Sequence, residues 1–329
     1  MSLKNISVPA SYFGIILGLT GLGADWRYAN TLWILPHVVG EIIMLIAGVV
    51  WVALMLLYMA KWLWHRDDAL AELKHPIQCC FIGLAPVSTV LVSLALLPHA
   101  RSAALVLFFV GAIGTILFTV WRHGGVWRGG RDPASTTPVL YLPSGAGNFV
   151  VAIALGAFGW TEWGVLFFGA GLLSWIALES VILYRLLTAE PLAVPLRPTL
   201  GIQLAPPAVG LVAYLSVTNG DPGIVAQVLL GYALLQALYL IRLLPWIRAQ
   251  SFSAGYWSFT FGVSALALGA ERMVDRGVIG PANEMAPILF IVANIVVGVI
   301  TLGSIILLVQ GRLFPKANSG TQGATIQGA

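Results

Sequence analysis

Charge is the scarcest property of this sequence. Asp, Glu, Lys and Arg make up 9% of its 329 residues, against about 25% in soluble domains. Apolar residues make up 59%, and the mean hydropathy is +0.91. No soluble fold buries that much apolar surface, so the chain is expected to be an all-α integral membrane protein. Its long apolar runs lack the polar–apolar alternation of an outer-membrane barrel. Cysteine is almost absent. Cys79 and Cys80 are adjacent in an apolar run, which excludes a disulfide framework or a zinc site and leaves small core hydrophobes. His37, His65, His75, His99 and His123 do not cluster, and no nucleophile stands in pattern with a base. An enzyme is not expected, nor a cofactor or a metal.

What is present is a series of ten apolar runs, at about 9–24, 38–60, 77–97, 103–120, 142–158, 163–187, 200–217, 224–245, 252–270 and 287–309. Runs of about 17 to 25 residues span the hydrocarbon core as helices. With both ends placed in the cytoplasm, only Arg27, Arg101, Arg272 and Arg276 of the 17 Lys and Arg residues fall outside, the bias expected of inner loops. That bias accounts for the net charge of +4 without nucleic acid. The basic, Gly-rich loop from Arg122 to Arg131 lacks the lysine of a phosphate-binding loop, and belongs to the same bias.

The odd-numbered runs start near residues 9, 76, 141, 199 and 252, a loosely regular recurrence that marks a repeat. They are rich in small and hydroxyl residues, whereas the even runs are longer and richer in Leu, Ile, Val and aromatics. The ten helices are therefore expected as five hairpins in quasi-five-fold array around a central pore. Odd helices would line the pore and even ones would face lipid.

The ninth run, from Phe252, is the most telling. It holds Ser258, Phe259, Phe261, Gly262 and Ser264 without a charge before Glu271. Phe13, Phe81, Phe149 and Phe261 fall in four odd runs and would form hydrophobic constrictions, which gate pores by dewetting. Phe261 is the expected plug, with Gly262 leaving room for its ring. Pro86, Pro143, Pro206 and Pro207 would kink odd helices around the cavity. Ser88, Thr89, Ser144, Asn148, Gln203, Ser258, Thr260 and Ser264 supply the expected hydroxyl and amide lining. No odd run carries an internal charge, which argues against proton-coupled carriers and metal transporters. Glu41, Glu179 and Arg242 lie inside even runs. Buried charges must pair, so a structural Glu179–Arg242 or Glu179–Arg185 ion pair is expected. Gly14, Gly18 and Gly21 would allow close helix contact.

Several motifs carry a family likeness. They are Tyr12-Phe13-Gly14-Ile15, Tyr141-Leu142-Pro143 with Asn148-Phe149, Phe168-Gly169-Ala170-Gly171, Gly201-Ile202-Gln203-Leu204-Ala205-Pro206, and Trp257-Ser258-Phe259 with Phe261-Gly262. In this order, from about residue 9 to 313, the sequence resembles the bacterial TehA tellurite-resistance family, whose distant members are plant guard-cell slow anion channels and fungal malate transporters. The resemblance implies a homotrimeric anion channel occluded by Phe261, with Phe13, Phe81 and Phe149 beside it. The expected function is a gated, voltage-independent channel for chloride, bromide, nitrate and iodide that favours easily dehydrated anions. The alternatives are a carrier of C4-dicarboxylates or tellurite oxyanions, or a cation-drug exporter. Residues 1–313 would form one channel domain and 314–329 a short flexible cytoplasmic tail. The setting would be a bacterial inner membrane, with both termini cytoplasmic.

Overall fold

A computed structural model describes residues 7–314; apart from residue 314, the expected tail lies outside them. Among the described residues all regular structure is helical. In chain order the α-helices are α1 (Gly14–Trp33), α2 (His37–Trp64), α3 (Arg66–Lys74), α4 (Leu84–Leu96), α5 (Arg101–Val126) and α6 (Gly147–Phe158). They continue with α7 (Thr161–Thr188), α8 (Ala205–Val217), α9 (Gly223–Ile247), α10 (Thr260–Asp275) and α11 (Pro281–Val309). Eight helical segments are long and apolar enough to cross a membrane. The segments built on α1 and α10 are not among these eight, and they pack between them.

Consecutive helices pair as hairpins: α1 with α2, α4 with α5, α6 with α7, α8 with α9, and α10 with α11. The first members also touch one another: α1 meets α10, α10 meets α8, α8 meets α6, α6 meets α4, and α4 meets α1. They form the inside of the molecule. The Val194–Val217 segment is 89% buried, whereas α7 is 17% buried and shows Leu166, Leu173 and Tyr184 to the surroundings.

Small residues set how closely the inner helices approach. A Cβ on Gly18 would lie 2.2 Å from Thr260 Oγ1, and one on Gly21 would lie 2.1 Å from Ser264 Oγ. Similarly, Gly262 meets Leu204 and Gly269 meets Leu211. Residue numbers rise together across each of these seams, so the inner helices run parallel.

Each inner helix starts with a lead-in of another winding. The lead-ins are 3₁₀ at Ala10–Phe13, Gln78–Gly83, Val194–Leu204 and Ala254–Phe259, and π at Leu142–Ala146. The prolines belong to this handover, which corrects the expectation of mid-helix kinks. Pro86 and Pro206 sit in the first turns of α4 and α8, and Pro143 sits in the π stretch. A proline there removes an N–H that would otherwise have to choose between the third and fourth preceding carbonyls. Because α1 and α10 switch winding without proline, proline permits the switch and does not cause it.

A seam closed against backbone predicts a stability effect. A Cβ on Gly156 would lie 2.1 Å from the backbone oxygen of Ser216, which cannot swing aside. Gly156→Ala should therefore destabilise by about 1–3 kcal/mol through overpacking. Gly231→Ala on α9, with nothing within 4 Å of the new carbon, should be neutral or stabilise by up to ~1 kcal/mol. Thermal unfolding in detergent compares the two.

Candidate functional site

Two cavities lie inside the ring of inner helices. The upper, of about 180 Å³, lies towards the helices' C-terminal ends and includes Thr20, Gly21, Ala24, Arg27, Leu91, Ile153, Val209, Phe261 and Leu268 in its lining. The lower, of about 70 Å³, lies among the lead-ins and includes Gly14, Leu17, Phe81, Leu84, Ala146, Ala205, Trp257, Ser258 and Phe261. All five inner helices contribute to the upper cavity. Phe261 is the one residue that borders both.

The other expected pore residues divide. Phe81 and Ser258 line the lower cavity. Phe13, Phe149 and Gly262 line neither of the two. The Phe13 ring meets Tyr58 of α2 edge-on at 5.6 Å. Phe149 fills the space over Gly171 and Gly210 and lies 6.0 Å from the Phe168 ring. Gly262 is the contact surface for Leu204 and Ala205. Phe13 and Phe149 thus wedge inner helices against neighbours, where a bulky ring has most surface to bury.

The expected hydroxyl lining is turned away as well. Ser88 and Thr89 donate to the Ala85 carbonyl, Thr260 to Trp257, and Ser264 to Thr260. Asn148 donates to the Ser144 carbonyl, and Ser144 meets His123. Three hydroxyls at the cavities are engaged as well: Thr20 donates to Ile16, Thr199 to Leu196, and Ser258 to Pro198. A hydroxyl that donates to a carbonyl has no proton left for an anion.

The four arginines at the upper end share one task. Arg27 donates to the Leu94 and Ala95 carbonyls of α4, and Arg101 to Phe158 of α6. Arg272 and Arg276 donate to carbonyls of α8 and its end, at Val212, Leu215 and Thr218. Parallel helices gather their negative ends on one side, and these guanidinium groups offset that field. Arg27 also holds Glu41 through two bonds of 2.8 and 3.0 Å, with His37 and His99 beside the same carboxylate. It is the one charged residue in either lining.

The expected ion pair of Glu179 is not formed. Its carboxylate accepts from Tyr141, Trp175, Tyr232 and Gln236 at 2.5, 2.9, 2.6 and 3.3 Å, while Arg242 is exposed. Neutral donors already satisfy the anion, and the arginine reaches outward instead. Cys79 and Cys80 are buried and free. In the basic loop, Arg122 and Arg131 both donate to the Pro76 carbonyl, fixing the start of the lead-in to α4.

Three carboxylates escaped the sequence reading. Glu72 on α3 binds Lys61, Tyr58 and the Ala10 N–H. Asp25 and Glu271 are fully buried, one residue beyond the expected ends of the first and ninth runs. The signal was positional, in that both odd runs stop at an acid.

Comparison with known proteins matches residues 7–306 to the family described as "SLAC1: Voltage-dependent anion channel". The chain is 35% identical to "Tellurite resistance protein TehA homolog" of Haemophilus influenzae, over 95% of this chain and 94% of that one. It is 26% identical to "S-type anion channel SLAH2" of Arabidopsis thaliana, over 94% of this chain and 61% of that one. For "Guard cell S-type anion channel SLAC1" of the same plant the figures are 23%, 94% and 57%. The match thus spans less than two thirds of either plant protein.

The Glu179 cluster gives a direct test. Glu179→Gln places an amide against four donors and should cost about 1–3 kcal/mol. Arg242→Ala, on an exposed side chain, should stay within about 0.5 kcal/mol of the parent. Melting curves of the two variants measure both.

Proposed function

The chain belongs to the SLAC1 family of voltage-dependent anion channels, and on that premise we propose that it is a gated anion channel. Its pore would run through both cavities and be closed by Phe261. One observation carries the reading: Phe261 alone borders the cavity above and the cavity below, so its ring stands where a continuous passage would run. The contact circuit of inner helices closes on itself, which supports five hairpins about one axis and ten membrane crossings.

The lining supports the choice of anion. An ion fully stripped of water in an apolar passage costs tens of kcal/mol by Born solvation. Neither cavity offers a free positive charge, because Arg27 is bound to Glu41 and to α4. Passage therefore depends on how little water an anion must surrender. The order iodide, nitrate, bromide, chloride is the proposed preference. A carrier of C4-dicarboxylates or tellurite oxyanions would need an unpaired cation against its dianion, and the lining lacks one. The tellurite link comes from the name of the Haemophilus relative. A homotrimer in a bacterial inner membrane, with both termini cytoplasmic, completes the proposal, together with opening that, unlike the family's description, does not depend on voltage.

The gate is tested by anion current through planar bilayers. Phe261→Ala should conduct strongly where the parent conducts little, with reversal potentials in the order of ease of dehydration. Phe149→Ala should stay closed and lose about 3–5 kcal/mol of stability, as for a core ring. Silence from Phe261→Ala, alongside saturable malate uptake in vesicles, would reverse the assignment in favour of the carrier.

A further inference from the structure

Asp25 on α1 and Glu271 on α10 are each 0% exposed. None of their four carboxylate oxygens has a hydrogen-bond partner, and Asp25 lies within the field of Glu271. They sit on facing inner helices, just above the close contacts of Gly18 with Thr260 and Gly21 with Ser264. Ala24 and Leu268, next to them in sequence and one turn away respectively, line the upper cavity.

Other charged and titratable groups nearby are engaged or turned outward. On α1, Arg27 is bound to Glu41 and α4, and Tyr28 lies against Arg272. On α10, Arg272 and Arg276 are taken by α8 and the loop after it, while Asp275 is exposed. From α2, His37 and Glu41 are joined to each other. From α8 comes Tyr214, packed on Phe168, and from α11 comes the exposed Glu284. The α4 sequence and the first turns of α9 carry no charge. Two unpaired anions side by side in such a place are not sustainable, because each opposes the ionisation of the other and neither has a donor. A bound metal would need several more oxygens than two side chains supply, and no group of three or more metal-ligating side chains occurs among the described residues.

We propose that Asp25 and Glu271 form a proton-binding site that clamps α1 to α10 and makes release of the Phe261 helix depend on pH. With protons bound, the acids can bond to each other across the seam. With protons lost, two carboxylates repel across the same seam, and α10, which carries Phe261 at its other end, is pushed from α1. The clamp is complete at low pH and fails as pH rises through the site's own titration. Its link to opening rests on the Phe261 gate.

The test is infrared spectroscopy of the purified protein across a pH titration, joined to current recordings. A protonated-carboxyl carbonyl band should persist well above pH 4, about where carboxyls ordinarily titrate, and should vanish in Asp25→Asn/Glu271→Gln. If that double variant fails to fold, the single substitutions should each weaken the band. No band at neutral pH, or a band unchanged in the variants, would overturn the site. Stability that rises with sodium or potassium in the absence of the band would overturn the proton in favour of a metal cation. Parent current should rise several-fold as the band titrates and be pH-independent in the double variant; a flat parent current would overturn the clamp. A titrating band together with a silent Phe261→Ala would uphold the site and sink the channel reading.

Discussion

Inside a bilayer a polar group has only the protein to bond to, and this constraint shapes the inner wall. Serines and threonines of the inner helices give their protons to carbonyls three or four residues back. Arginines at the upper end are spent on neighbouring helix ends, and Glu179 is satisfied by neutral donors. Most of these polar groups are thereby engaged in holding the wall together, with Asp25 and Glu271 as exceptions. What faces the cavities is mostly carbon, although the inner segments look polar for membrane helices. The proposed ranking of anions by ease of dehydration rests on this shortage of free polar groups.

Much of the plan was legible. Odd and even runs differ in residue size, because helices enclosed on all sides need small contacts and helices facing lipid do not. That difference located the inner and outer members. The expected absence of charge from the odd helices does not hold, since α1 carries Asp25 and Arg27 and α10 carries Glu271 and Arg272. Phe261 stood out through the Ser258–Ser264 stretch, and it is the residue that borders both cavities. Less legible was direction. A Phe at mid-span can point to the axis or to a neighbour, and periodicity does not distinguish them; Phe13 and Phe149 took the second course. Glu179 was unreadable for a related reason. Trp175 stands one turn before it, but Tyr141, Tyr232 and Gln236 come from other helices, and the expectation that a buried charge pairs with an opposite charge pointed to Arg242 or Arg185 instead. Hydropathy also ended the first and ninth runs at Asp25 and Glu271, whereas α1 and α10 continue to Trp33 and Asp275.

The four arginines that broke the charge bias turn out to be related. Arg27 of α1 reaches α4, Arg101 of α5 reaches α6, and Arg272 and Arg276 of α10 reach α8 and its end. Each ties one hairpin to the next at the end where parallel dipoles add. The remaining two inner helices end without such a clasp. Ile34 after α1 takes a left-handed conformation at φ 56°, and Gly277 beyond α10 does so at φ 81°, so each helix closes its own carbonyls.

The change of winding in the inner helices has a consequence for length. An α-helix advances about 1.5 Å per residue, and α6 with its 12 residues covers only about 18 Å. That is well short of a hydrocarbon layer of about 30 Å. A 3₁₀ turn advances about 2.0 Å per residue, so the 19 residues of Gln78–Leu96 reach ~32 Å, where a uniform α-helix would reach ~28 Å. The inner helices with 3₁₀ lead-ins are thus stretched towards the thickness of the membrane with fewer residues than their lipid-facing partners use. Rewinding Gln78–Gly83 to α would shorten that strut by about 3 Å and turn everything above it.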